Sequence, residues 1–164
     1  MDPETRAPDA LDAYRSPSQR VLDKEIGSLD AFCRDFIALA PFATLATASA
    51  DGWPDVSPRG GAPGFVHVLD AHRLALPDRL GNNRIDSLRN IARDPRVALL
   101  FLIPGCGEAL RVNGTARIVA GAPYLSDLAV AGVRPDLAVE VTVAELFLHC
   151  SKAFVRSAAW DPRT

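Results

Sequence analysis

The sequence predicts a mainly β protein with a few helices, its antiparallel strands forming a closed or split barrel. Three observations point there. Short runs of small, β-branched and apolar residues are separated by turn residues along most of the chain. Several of those turns have hairpin length, Asp51-Gly52 and Gly105-Cys106-Gly107 among them. Clear helical periodicity is confined to a few short segments. Short strands with too few helices to cover a parallel sheet favour an antiparallel barrel, which also disposes of exposed strand edges.

Residues 1–27 read as an N-terminal arm, partly irregular, whose loose part, Met1 to Gln19, would drape over a partner subunit while Val21 to Gly27 begins the folded part, and residues 28–164 read as a single domain. Met1 to Gln19 is rich in Pro, Asp, Ala and Arg without a period. A helix is expected from Ser28, with Leu29, Phe32, Cys33, Phe36, Ile37 and Ala40 on one stripe and Pro41 as its stop. Cys33 therefore reads as core. From Phe42 to Thr47 the pattern is that of a strand, and a return strand near Pro54 to Ser57 is interrupted at Pro58. The glycines and prolines from Pro58 to Gly64 mark a bulge or loop where something approaches the backbone. Phe65 to Asp70 and Leu74 to Leu76 read as strands. Val97 to Ile103 is apolar enough to be buried on both faces. From Ala109 to Val119, Leu110, Val112, Gly114, Ala116 and Ile118 face one way and polar residues the other. Ala122 to Ala131 is a short helix or crossover, Leu137 to Leu148 a last long strand, and Ser151 to Ala159 a short helix or turn.

Composition narrows the function. Of 164 residues 48% are hydrophobic and 23% charged, as in an ordinary globular chain. A formal net charge of −2 removes any global electrostatic case for nucleic acid or an anionic membrane. Three cysteines without metal-ligand spacing suit a reducing compartment, and no leader-like or membrane-length apolar run is present, so a cytoplasmic location is expected.

The most informative stretch runs from His72 to Arg96. A strand is followed by the loop Pro77-Asp78-Arg79-Leu80-Gly81-Asn82-Asn83-Arg84 and a helix carrying Ile85, Leu88, Ile91 and Ala92, which Asp94-Pro95 closes. With Asn82 or Asn83 as N-cap, free amides, the positive helix end and the Arg84 guanidinium make a seat for a phosphate. The same residues also describe a plain capped helix with a solvated arginine. No dinucleotide or P-loop glycine pattern, zinc set or nucleophile elbow is found, and no metal site is expected. What remains is Ser57 and Arg59, then Asn82, Asn83 and Arg84, then Arg111, on separate segments. Two or three converging guanidinium groups would hold a doubly charged phosphate.

These residues resemble the FMN-binding split-barrel family, the pyridoxamine 5'-phosphate oxidase-like proteins, over roughly residues 42–162. The resemblance rests on Thr44-Leu45-Ala46-Thr47, Val56-Ser57-Pro58-Arg59-Gly60-Gly61, Pro77-Asp78-Arg79 with Gly81-Asn82-Asn83-Arg84, and Leu110-Arg111-Val112-Asn113-Gly114. The closing segment, His149-Cys150-Ser151-Lys152 to Trp160-Asp161-Pro162, looks like an uncharacterised branch of that family.

The resemblance implies a six-stranded antiparallel split β-barrel, a homodimer, and FMN in clefts shared between subunits. By resemblance, Asn83 and Arg84 take the phosphate with Asn82 beside them. Arg59 is a second phosphate arm, Arg111 faces the flavin, and Ser57, Pro77 and Asp78 touch the ribityl chain or ring edge. Lys152, Arg156 and Trp160 are the candidates for the substrate side, with Trp160 stacking on the ring or packing at the dimer seam. No catalytic acid or base is identified, as suits a flavin enzyme in which the cofactor carries the chemistry. The expected activity is an FMN-dependent oxidoreductase acting on an unnamed small-molecule substrate with a nicotinamide electron donor. The alternative is a non-catalytic flavin-, deazaflavin- or haem-binding protein on the same fold. Pro77-Asp78-Arg79 stands where the vitamin enzyme has Tyr-Thr-Asn, so pyridoxamine phosphate is not the expected substrate.

Overall fold

A helix begins where a side chain can close its first turn, and here that side chain is Asp30 rather than Ser28. Its carboxylate accepts from the Cys33 amide at 2.8 Å. A short helix α1 (Gln19–Leu22) precedes it, and α2 spans Ala31–Leu39. Leu29, Cys33, Phe36, Ile37 and Ala40 are buried, whereas Phe32 is 52% exposed, so the apolar stripe is narrower than expected. Burial pushes the Cys33 thiol up to about 12, which leaves it an inert core residue. The computed structural model describes residues 11, 14–79 and 81–163. Residues 1–10, 12 and 13 of the expected arm, and Leu80 of the expected loop, lie outside the described residues.

The chain then forms β1 (Phe42–Ala48), β2 (Pro54–Gly60), β3 (His67–Val68) and β4 (Arg73–Pro77). Helix α3 (Asp86–Ile91) leads to β5 (Arg96–Leu102), β6 (Ala109–Ala120) and β7 (Leu137–His149), and α4 (Lys152–Ser157) follows. All seven strands pair antiparallel in the order β2-β1-β5-β6-β7-β4-β3, and hydrogen bonding does not close the sheet. The expectation of six strands is therefore corrected to seven. The strand expected from Phe65 to Asp70 is present as β3 but shortens to two residues, because Leu69 and Asp70 turn back at once onto the Arg73 carbonyl while Phe65 and Val66 are buried in the core.

The sheet is rolled around its core. Leu45 of β1 lies beside Leu76 of β4 and Val139 of β7, strands far apart in sheet order, and edge strand β2 borders the same space. Phe101, Leu99, Leu110, Val112, Val141 and Leu146 fill the inside, with α2 and α3 closing it. The opening between β2 and β4 is the split.

Three sequence expectations change here for local reasons. Strand β2 runs through Pro58 to Gly60, because an edge strand has one side whose amides need no partner. In β5 only Val97, Leu99 and Phe101 are buried, while Ala98, Leu100 and Leu102 on the other face are half-exposed. Ile118 is 37% exposed because the end of β6 runs past the core. The backbone near Gly60 to Gly64 is approached, as expected, and the neighbour is the end of α2. The Gly61 amide donates to the Pro41 carbonyl at 3.0 Å, and a Cβ on Gly64 would stand 3.2 Å from the Ala38 oxygen. Among the described residues no helix is long and apolar enough to cross a membrane.

Candidate functional site

Alternation along β2 places Asp55, Ser57 and Arg59 on its half-buried side and Val56 and Pro58 outside. Helix α3 lies across that side and presents two buried polar residues, Ser87 and Asn90. The result is a continuous hydrogen-bonded chain. Arg59 donates to the Ser57 hydroxyl at 3.1 Å, and Ser57 and Ser87 hydroxyls lie 3.1 Å apart. Ser87 and Thr47 donate to the Asp55 carboxylate at 3.4 and 3.3 Å, and the Asn90 amide donates to Thr47 at 3.0 Å. Sequence reasoning missed Thr47, Asp55, Ser87 and Asn90. The period-two spacing of Asp55, Ser57 and Arg59, and the i,i+3 spacing of Ser87 and Asn90, were the available signals.

The loop before α3 differs from its expectation. Asn82 uses its side-chain oxygen to accept from the Arg84 amide at 3.0 Å, and Asn83 takes a left-handed conformation at φ 61°. Neither caps the helix. The N-cap position is Ile85, without a side-chain cap, and the helix has six residues. The Arg84 guanidinium pairs with Asp86 at 2.5 Å in the first turn and is 79% exposed.

Ser57, Arg59, Asp78, Asn82, Asn83 and Arg84 nevertheless line one cleft, of about 620 Å³. Buried Pro77 is on the wall of a smaller cavity of about 230 Å³, which shares Arg59, Asp78 and Arg79 with the cleft. Among the described residues neither Arg59 nor Arg79 takes part in an ion pair. The Arg59 Nε is buried with no hydrogen-bond partner.

Arg111 does not join them within one chain. Pairing explains why: Ser57 and Arg59 sit opposite Leu45 and Ala43, which are buried inside, whereas Arg111 sits opposite half-exposed Leu100 on the outer face. There it binds Glu145 at 2.8 Å and lies 4.0 Å from the Phe147 ring centre. Asn113 also donates to Glu145, at 2.6 Å. Burial, and then the Arg111 charge, lower the pKa of neighbouring His149. Lys152 and Arg156 are exposed on α4. Trp160 donates to the Cys106 carbonyl at 2.6 Å and stacks on Phe154 with ring centres 5.6 Å apart. These three residues line neither cavity.

Comparison with known proteins agrees with the fold. No curated protein matches the chain. Among solved structures, a candidate pyridoxamine 5'-phosphate oxidase of Lactobacillus delbrueckii has 25% identity and a TM-score of 0.59, with 74% of this chain and 95% of that one covered. HupZ of Group A Streptococcus has 18% identity and a TM-score of 0.59, covering 74% and 99%. HutZ, the haem storage protein of Vibrio cholerae, has 15% identity and a TM-score of 0.50, covering 74% and 94%. The last two share the fold. A family model described as pyridoxamine 5'-phosphate oxidase matches residues 29–150, from the end of the first loop to the close of β7, and by that match the chain belongs to the pyridoxamine 5'-phosphate oxidase family.

Proposed function

We propose that the protein binds FMN in the cleft between β2 and the 78–85 loop and acts as an FMN-dependent oxidoreductase in the cytoplasm, as a homodimer of single-domain chains. The observation that carries this reading is the Arg59 guanidinium. It stands in a cleft of mononucleotide size, takes part in no ion pair among the described residues and keeps a buried, unpartnered Nε. An anionic ligand gives it the charge-assisted partner that the described residues withhold.

The residues present fit the nucleotide. Arg59, with the Ser57 and Ser87 hydroxyls behind it, would hold the phosphate, and Asn82, Asn83 and Arg84 would enclose it from the loop. Pro77 and Asp78 would border the ribityl chain and ring edge. When bound, FMN supplies hydride or electron transfer. The chain's own work is to bind, orient and exclude water, and no acid or base is assigned. Arg111, Lys152, Arg156 and Trp160 would reach the ring from a second copy. Lys152 and Arg156 suit an acidic small-molecule substrate or a nicotinamide donor.

The test is an absorption spectrum of the purified protein, repeated after incubation with FMN, with mass spectrometry of the released cofactor. A flavin spectrum and accelerated reduction by NADH or NADPH are expected. A colourless protein that stays colourless with FMN removes the reading. A haem band or a deazaflavin mass replaces the cofactor, and bound flavin reduced no faster than free flavin makes the protein a carrier.

A further inference from the structure

We infer that Asp55 is a specificity-determining residue of the cleft: its carboxylate closes the phosphate end and confines the site to a flavin that ends in a single phosphate, against one whose chain continues through a pyrophosphate. This rests on the flavin reading above and adds to it which flavin the cleft takes.

The order of residues along β2 sets the two ends of the cleft. Asp55, Ser57 and Arg59 share one side of the strand, over about 13 Å of its length. The smaller cavity, with Pro77 and Asp78, meets the cleft at Arg59 and does not reach Asp55. With the ring edge at Pro77 and Asp78 and the phosphate on Arg59 and Ser57, any group added beyond the phosphate runs toward Asp55. There the chain supplies only neutral partners. The Thr47 and Ser87 hydroxyls both donate to Asp55 Oδ2, and Asn90 holds Thr47 from behind. Thr47, Ser87 and Asn90 are buried, so the carboxylate is anchored and not free to swing aside.

Among the described residues Asp55 takes part in no ion pair. Arg84 feels its charge, which adds to the hydrogen bond and charge of Asp86 in holding the Arg84 pKa above the ordinary value, but the guanidinium binds Asp86. In the lining Arg59, Arg79 and Arg84 are matched by Asp55, Asp78 and Asp86, so no surplus positive charge awaits a second phosphate. A second phosphoryl group would stand beside a fixed carboxylate in a partly buried site, where like charges repel more strongly than in water. An acidic residue makes the same choice in dinucleotide sites when it takes a ribose hydroxyl and not a phosphate.

The experiment titrates FMN and FAD, and separately inorganic phosphate and pyrophosphate, into the full chain and into Asp55→Asn, with calorimetry as the readout. Asparagine keeps the shape of the side chain and an oxygen for the Thr47 and Ser87 hydroxyls. Asp51→Asn, in the exposed turn between β1 and β2 and outside the cleft, removes the same charge and serves as control. The native protein should prefer FMN to FAD and phosphate to pyrophosphate by about tenfold or more, and Asp55→Asn should erase about tenfold of each preference. Asp51→Asn should leave both ratios as they are. Ratios unchanged in Asp55→Asn, ratios changed equally in Asp51→Asn, native protein that binds pyrophosphate as tightly as phosphate, or no binding of phosphate at all overturns the assignment. If Asp55→Asn does not fold, Asp55→Ser and the native ratios decide. If neither flavin binds while phosphate and pyrophosphate behave as expected, the flavin reading falls and Asp55 remains the residue that limits the cleft to one phosphate group.

Discussion

An arginine contributes to anion binding according to what its charge faces in the free protein. Arg84 is already paired with Asp86 and largely solvated, whereas Arg59 takes part in no ion pair among the described residues. Arg59→Ala should therefore weaken FMN binding by about 1.5–3 kcal/mol, and Arg84→Ala by clearly less, in a fluorescence titration. Equal losses would mean that Asp86 releases Arg84 when the ligand arrives. The same balance decides stability at Glu140, which is 3% exposed. Burial raises its pKa, but hydrogen bonds from Arg117 at 2.7 Å and Tyr124 at 3.1 Å, with the charges of Arg117 and Arg73, outweigh burial and leave it below the ordinary value of 4.5. A depressed carboxyl pKa stabilises the fold above the unfolded value and loses that contribution as pH falls through the folded one. Glu140→Gln should thus cost about 1–2 kcal/mol at neutral pH, with the gap from the native protein shrinking below pH 4.5 in denaturant titrations. A gap independent of pH would assign Glu140 a packing role alone.

Elements here are set by single positions that sequence patterns reveal unevenly. The alternation of β6 was legible because burial on one face imposes period two, and β1, β5 and β7 were legible as runs of strand-forming residues, although β5, apolar throughout, read as buried on both faces and is buried on one. The start of α3 was not, because Asn82 serves the local turn onto Arg84 instead of the helix. Pro58 misled for a different reason: whether a proline breaks a strand depends on its place in the sheet, which only the assembled fold supplies. Gly114 shows how decisive one such position is. At the irregularity between β6 and β7, a Cβ on it would stand 2.0 Å from the Thr142 carbonyl oxygen. Gly114→Ala must push two hydrogen-bonded strands apart and should cost at least about 2–3 kcal/mol. The comparison is Gly27→Ala, whose Cβ would meet nothing nearer than 3.7 Å and should change the midpoint little. Equal unfolding midpoints would show that the ladder yields without cost.

At the scale of the whole molecule, rolling the sheet brings β2 and β4 together and so makes the cleft, while sending Arg111 to the opposite face. No pattern in the sequence encodes that curvature, which is why a grouping by residue type put Arg111 with Ser57, Arg59 and Arg84, although only the last three line one cleft within the chain and Arg111 lies across a wall of the sheet. The outer face suggests what would complete the site. Leu100 sits opposite Arg111 on one side and Thr44 on the other, and Ala98 opposite Asn113 and Ala46, so apolar, half-exposed residues surround the Arg111–Glu145 pair. A second copy docked there would cover the patch and carry its own Arg111 and Trp160 toward the neighbouring cleft, as the proposed homodimer requires. The full chain should then elute as a dimer at micromolar concentration. Leu100→Asp, which places a carboxylate in the middle of the patch without entering the core, should give monomers that retain the native circular dichroism and lose FMN affinity by about tenfold or more. A monomeric variant that binds FMN as tightly as the dimer would show that one chain suffices, and Arg111 and Trp160 would leave the site.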